Sequence, residues 1–229
     1  MSNIFSPDSK LTVFLTVLSD LLWINILTLI CCIPVFTIGA ALTAKDHMCY
    51  KLLRGEGSGL TRDYFLSFRR NFRQATFIWL LELAMIMFFL ADIYLLWFYG
   101  NDTFRNLVYV LSGLMLFAYI ISIMIFPMLA RFENGIAGTV KNAVIMCASI
   151  FPSALLMAVM YLIPPVLGIF FTGLVPFVFL FGLSLPGYLS AMLYRKAFEK
   201  VEGAYYAEHP DEMPVTDEGS EPDSQNDET

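Results

Sequence analysis

Asp20, Asn25, Glu82 and Asp92 stand inside long apolar runs, and these are the residues whose placement could do chemistry. A charge in hydrocarbon is costly, so each acid needs a proton, a hydrogen-bond partner or a wet cavity. The runs that hold them contain no Lys or Arg. Two readings are open: a proton- or cation-coupled pathway through Asp20 and Glu82, or hydrogen bonds that tie helices together. A second group lies between the first two runs. Phe65, Phe68 and Phe72 recur at helical spacing, while Arg62, Arg69 and Arg73, with Arg70 adjacent, crowd a neighbouring face. Such a helix can lie flat on a membrane, rings in the acyl boundary and guanidinium groups among anionic headgroups, as a lipid or partner site. It can equally be a lead-in to the next span, its arginines obeying the positive-inside rule.

The elements that must position these residues are five apolar runs, Leu11 to Ile33, Ala75 to Tyr99, Leu107 to Ala130, Ala143 to Ile163 and Val166 to Met192. Each reaches the roughly 20 residues that a helix needs to cross about 30 Å of hydrocarbon. Hydrophobic residues make up 58% of the chain and charged ones 15%, which excludes a water-soluble core. The expected fold is an all-α, polytopic transmembrane helical bundle of about five spans. Residues 1–206 form its single domain, with a cytoplasmic loop at 45–74 around the flexible Gly55-Glu56-Gly57-Ser58-Gly59. After Pro34 the apolar character continues to Ala44, an arm too short to span, so a kinked or re-entrant segment is expected there.

Charge gives the orientation. With five crossings, only Lys10 and Arg105 fall on one side and the remaining twelve Lys and Arg on the other. The N-terminus is therefore expected outside and the C-terminus in the cytoplasm. The first run is read as a retained span, not a cleaved signal. The net charge of −6 comes from residues 207–229, which hold nine acids and no Lys or Arg; the rest has 14 basic and 11 acidic residues. That tail is expected to be a disordered, solubilising extension. Its folding back over the arginines is the other possibility.

Interrupted helices are the remaining signal. Pro34 to Gly39 at one end, and Pro164-Pro165 with Gly168, Gly173, Pro176, Gly182, Pro186 and Gly187 at the other, introduce irregular backbone. In transporters such breaks expose backbone groups at a binding site, although Gly and Pro also serve close helix packing. Other motifs are missing. There is no Walker sequence, nucleophile elbow, zincin motif or dinucleotide fingerprint. Asp46-His47-x-Cys49 does not set ligands on one helical face, and His209 lies in the tail, so no metal, cofactor or catalytic residue is expected. Cys31, Cys32, Cys49 and Cys147 lie in or beside apolar segments, and no disulfide framework is expected.

Three segments carry a family resemblance. Trp23-x-Asn25 followed by Ile33-Pro34-x-x-Thr37-Ile38-Gly39-Ala40-Ala41, then Tyr64-Phe65-x-x-Phe68-x-x-Asn71-Phe72-x-Gln74-Ala75, resembles the YesL-like bacterial membrane proteins, a domain-of-unknown-function family. Phe126-Pro127-x-x-Ala130-Arg131-Phe132-Glu133 and Lys141-Asn142-Ala143 are similar to the same family's later segment. The resemblance implies a multi-pass protein of the bacterial cell membrane, typically in Gram-positive bacteria. It also implies a link to carbohydrate uptake, with subunits of a sugar ABC transporter as partners; ATP hydrolysis would then come from another subunit. It supplies no catalytic residues.

The expectation is thus a non-enzymatic accessory or permease-like component whose surroundings are the lipid bilayer, with no nucleic-acid partner. The rival is a stand-alone small-solute transporter that uses the intramembrane carboxylates. A membrane enzyme with a buried carboxylate is the third possibility.

Overall fold

The computed structural model describes residues 10–56, 59–99, 102–132 and 135–208. Eight α-helices make up the described chain: α1 (Lys10–Cys31), α2 (Ile38–Leu53), α3 (Leu60–Tyr99), α4 (Asp102–Arg131), α5 (Ile136–Ser149), α6 (Phe151–Phe170), α7 (Val175–Phe181) and α8 (Ser184–Glu208). No strand occurs among the described residues. The fold is an all-α helical bundle. Four helices, α1, α3, α4 and α6, are long and apolar enough to cross a membrane, and α7 with α8, bent by 57°, makes a fifth when taken as one span. Their outer faces carry exposed Phe14, Phe88, Val110 and Ile169. Such surfaces are stable against lipid and not against water.

The chain divides into two compact units, residues 1–195 and 196–229. The second continues α8 as far as Glu208. The expected acidic tail from residue 209 onward, and the side chain of Arg105, lie outside the described residues.

Within the first unit the unexpected element is α2. Pro34 lacks an N–H and restricts Ile33, so α1 stops at Cys31 and a 3-10 turn, Val35–Thr37, follows. Thr37 Oγ1 donates to the carbonyls of Cys31 at 2.5 Å and Pro34 at 2.6 Å, and Trp79 Nε1 donates to the Val35 carbonyl at 2.8 Å. These hydrogen bonds tie the break to the end of α1 and to α3. The chain then reverses into α2, which does not stop at Ala44 but runs on through Lys45 to Leu53. At 16 residues it is about 24 Å long, short of a full span. Eleven of those residues are buried. Residues 45–53, expected within a loop, are thus helical, as is the 60–74 segment whose Phe and Arg spacing pointed to a helix, and only a short connection remains between them. Gly55 and Gly59 turn that connection at φ of 78° and 75°, the left-handed region in which a Cβ is strained.

Small residues let α2 sit at the centre. A Cβ on Gly39 would overlap the Ala75 carbonyl oxygen and come within 2.6 Å of Trp79 Cβ, so α2 and α3 meet almost backbone to backbone there. At the other end Lys51 pairs with Asp63, which makes α2 antiparallel to α3. Trp23 Nε1 donates to Thr61 Oγ1 at 2.8 Å while Val35 lies by Trp79, so α1 runs in the same sense as α3. The core around this hairpin includes Leu21, Ile24, Leu27, Ala44, Met48, Leu52 and Tyr64.

The last two runs are divided differently from the expectation. Ala143 to Ile163 is not one helix: α5 closes at Ser149, Ile150 leaves helical geometry, and α6 restarts with Pro152 in its first turn, where a missing N–H costs nothing. Pro164 and Pro165 do not separate spans, since α6 passes through both to Phe170. The Val166 to Met192 run is instead interrupted at Thr172–Leu174 and again at Gly182 and Leu183.

Candidate functional site

Lys45 and Asp46 are consecutive residues of α2, both in the bundle interior with side chains 1% and 5% exposed. Their charged atoms are 2.9 Å apart. Lys45 Nζ donates to Tyr161 Oη of α6 at 2.8 Å, and that hydroxyl reaches Asp46 Oδ1 at 3.4 Å. The three groups close a triangle. Burial pushes the Asp46 carboxyl up from its usual range, while Lys45 and the Tyr161 hydroxyl pull it back. Gly187 of α8 makes room for the ammonium: a Cβ there would stand 3.2 Å from Lys45 Nζ and 3.3 Å from Cys49 Sγ. Burial also raises the Cys49 thiol to about 12, so it stays a thiol and donates to the Ser184 carbonyl at 3.6 Å.

Next to this triangle is a cavity of about 290 Å³, walled by Lys45, Asp46 and Tyr161 on one side and by Trp79, Glu82 and Tyr119 on the other. A second cavity, of about 360 Å³, shares Glu82, Ile86, Tyr119 and Ser122 with the first. Glu82 therefore stands at their junction. It is 7% exposed, and Oε1 is buried with no protein hydrogen-bond partner, while Ser122 supplies a side-chain hydrogen bond to the carboxyl. Glu82 ends the buried stripe of α3 formed by Tyr64, Ser67, Asn71, Ala75 and Ile78, whose three- and four-residue steps keep it facing inward. A buried carboxylate oxygen without a partner calls for a donor: a proton, a cation or a ligand N–H or O–H.

The other sequence candidates separate from this site. Asn25 is completely buried, but its amide is spent on the α7–α8 break: Nδ2 donates to the Phe179 carbonyl at 2.8 Å, and Oδ1 accepts from Leu183 N at 2.9 Å and Ser184 N at 3.0 Å. Of the two readings offered for the intramembrane polar groups, Asn25 follows the interhelical one. Asp20 and Asp92 are half-buried on α1 and α3 and line neither cavity. Arg62, Arg69, Arg70, Arg73 and Phe65 are exposed on α3, and Phe68 and Phe72 are half-buried with ring centroids 5.5 Å apart. Because α3 is unbroken from Leu60 to Tyr99, this segment continues the axis of the span and is not a separate helix turned flat on the membrane. His47 is half-buried, and no group of three or more metal-capable side chains gathers among the described residues.

Lys45, Asp46, Ser122 and Tyr161 were missed from sequence. The first two looked like the start of a loop because they are charged. The signal against that was the small-residue ladder Gly39, Ala40, Thr43 and Ala44 leading into them, followed by Met48, Cys49 and Leu52 at helical spacing.

Residues 20–93 are similar to the family model described as "Protein of unknown function, DUF624", a match that takes in Asn25, Lys45, Asp46 and Glu82 but stops before Ser122 and Tyr161. No curated protein and no solved structure matches the chain.

Proposed function

We propose that this chain is a non-enzymatic, permease-like protein of the cell membrane that holds a small solute at Glu82. The observation that carries this reading is the Glu82 carboxylate, buried at the junction of two cavities with one oxygen unpartnered. In hydrocarbon such a group is retained for a solute or ion. The Lys45–Asp46–Tyr161 triangle, whose charges satisfy each other, builds the wall behind it. Proteoliposomes test the reading with methylammonium as a small cation and glucose as a neutral polyol. Uptake of either above protein-free vesicles, lost in Glu82→Gln and kept in Asp20→Asn, is expected; no uptake of either by the unaltered protein rejects it.

The link to carbohydrate uptake rests on the YesL-like motifs alone. An accessory role beside sugar-transport subunits is supported by the exposed Arg62, Phe65, Arg69 and Arg73 on α3. It predicts co-purification with those subunits that is lost when the four are changed together.

Orientation belongs to the same proposal. The positive-inside rule sets the arginine-bearing start of α3 in the cytoplasm. Because α1 runs in the same sense as α3, the N-terminus then falls on the cytoplasmic side as well, in place of the outside position expected from five simple crossings. Lys10 joins the cytoplasmic charges. Apart from the buried Lys45, only Arg105 is left outside, a more one-sided distribution than before. Cysteine labelling from either face at positions 3 and 101 checks it, with the first cytoplasmic and the second external.

A further inference from the structure

The two cavities that meet at Glu82 differ in character. The smaller is closed behind by the charged triangle. The larger is apolar along nearly all its length: Met85, Phe89, Met115, Leu116 and Leu162 form its walls, and Glu82, Tyr119 and Ser122 its inner end. Met85, Leu116 and Leu162 are also exposed on the outside of the bundle, at 38%, 52% and 45%. The apolar arm therefore opens sideways, onto the surface that faces hydrocarbon. A water-soluble solute gains little from such an arm, since among its side chains beyond the inner end only the Ser112 hydroxyl can replace hydration. An alkyl chain fills it without loss.

We infer that the ligand of this site is a single-chain amphiphile that enters from the bilayer, its alkyl chain in the Met85–Leu116 arm and a hydrogen-bond-donating head, ammonium or hydroxyl, on Glu82. The inference rests on the assignment of Glu82 as the binding group and adds the ligand class and its route. An acceptor-only head such as a sulfate is excluded, because it would set negative charge against a carboxylate that already lacks a donor. At about 360 Å³ the arm is at the small end of ligand sites, sized for one chain and not for a two-chain lipid. The head chemistry has two sources, an amine or a sugar-like hydroxyl, and separate probes tell them apart.

The test uses the full chain in lipid nanodiscs with a decylamine carrying a photoreactive diazirine at its chain end, and mass spectrometry to map the label. Label on Phe89, Met115 and Leu116 is expected. It should fall about tenfold or more in Glu82→Gln, the loss of one charge-assisted bond. It should fall similarly in Leu162→Trp, which fills the arm from its partly exposed rim on α6 and leaves the helix that carries Glu82 unaltered. Label spread evenly over outward Phe88 and Leu114 and unchanged by both substitutions overturns the inference. Competition separates the layers of the argument. Displacement by decylamine or decyl glucoside but not by decyl sulfate supports it and identifies the head. Displacement by methylammonium as effective as by decylamine leaves Glu82 as a solute site and refutes the alkyl arm. No displacement by any of them removes both readings.

Discussion

Breaking the Lys45–Asp46 pair from one side should be far more damaging than removing it altogether. At 2.9 Å and an effective dielectric near 20, the two charges attract by about 6 kcal/mol. Taking each ion out of water costs several kcal/mol, so the intact pair is close to neutral in the balance. Asp46→Leu leaves an ammonium in the interior with only the Tyr161 hydroxyl beside it, and Lys45→Met leaves a carboxylate; each should lose about 3–5 kcal/mol. The double variant Lys45→Met/Asp46→Leu should return to within about 1–2 kcal/mol of the parent, since two apolar side chains replace two satisfied charges. The Tyr161 hydroxyl loses its Lys45 and Asp46 partners in it, which accounts for the residual cost. Reversible unfolding in mixed micelles, followed by far-UV circular dichroism across the four proteins, yields the coupling energy. Additive losses in the double variant would falsify the triangle as a closed ion pair.

Three further outcomes follow from the packing. Asn25→Leu strands one carbonyl and two N–H groups at the α7–α8 break and should cost about 3 kcal/mol or more, with amide exchange rising at residues 179–184; unchanged exchange there would sink the capping role. Gly39→Ala should destabilise by about 1–3 kcal/mol, as its Cβ has no room against Ala75 and Trp79, whereas Gly113→Ala meets nothing and should stabilise α4 by about 0.5–1 kcal/mol. Thermal midpoints of opposite sign check the two together. Burial, with help from Arg70, Lys51 and Arg131, holds His47 below its usual value against the hydrogen bond that its ring donates to the Ala130 backbone. The folded state then binds its proton later than the unfolded one, so stability should fall as pH drops from about 7 to about 5.5, and His47→Gln should flatten that slope.

How much of the fold was legible depended on what held each helix. α3 and α4 were readable because their apolar runs are long and uninterrupted, and lipid imposes the same rule on every such run. The break at Pro34 was readable from local sterics alone. The α5–α6 and α6–α7 boundaries were not, because prolines in hydrocarbon act through their neighbours. Pro164 and Pro165 are carried inside α6 while Pro152, in the first turn, marks a restart, and only tertiary context separates the two uses.

The candidate site was half legible for a related reason. Glu82 declares itself by being an acid in an apolar run, which lipid penalises whatever the fold. Asn25 declared itself in the same way, yet its partners are backbone groups more than 150 residues away, exposed by a helix break whose position no local rule supplies. Lys45 and Asp46 were hidden by the opposite effect. Charge next to a Gly-rich turn normally means water, and two opposite charges in succession look doubly solvated. Here each is the other's solvent. That exchange is possible only because Gly39 lets α2 press onto α3 and Gly187 leaves room for the ammonium. The small residues, more than the charged ones, therefore decide that α2 is an interior helix, and Glu82 faces a polar wall because of them.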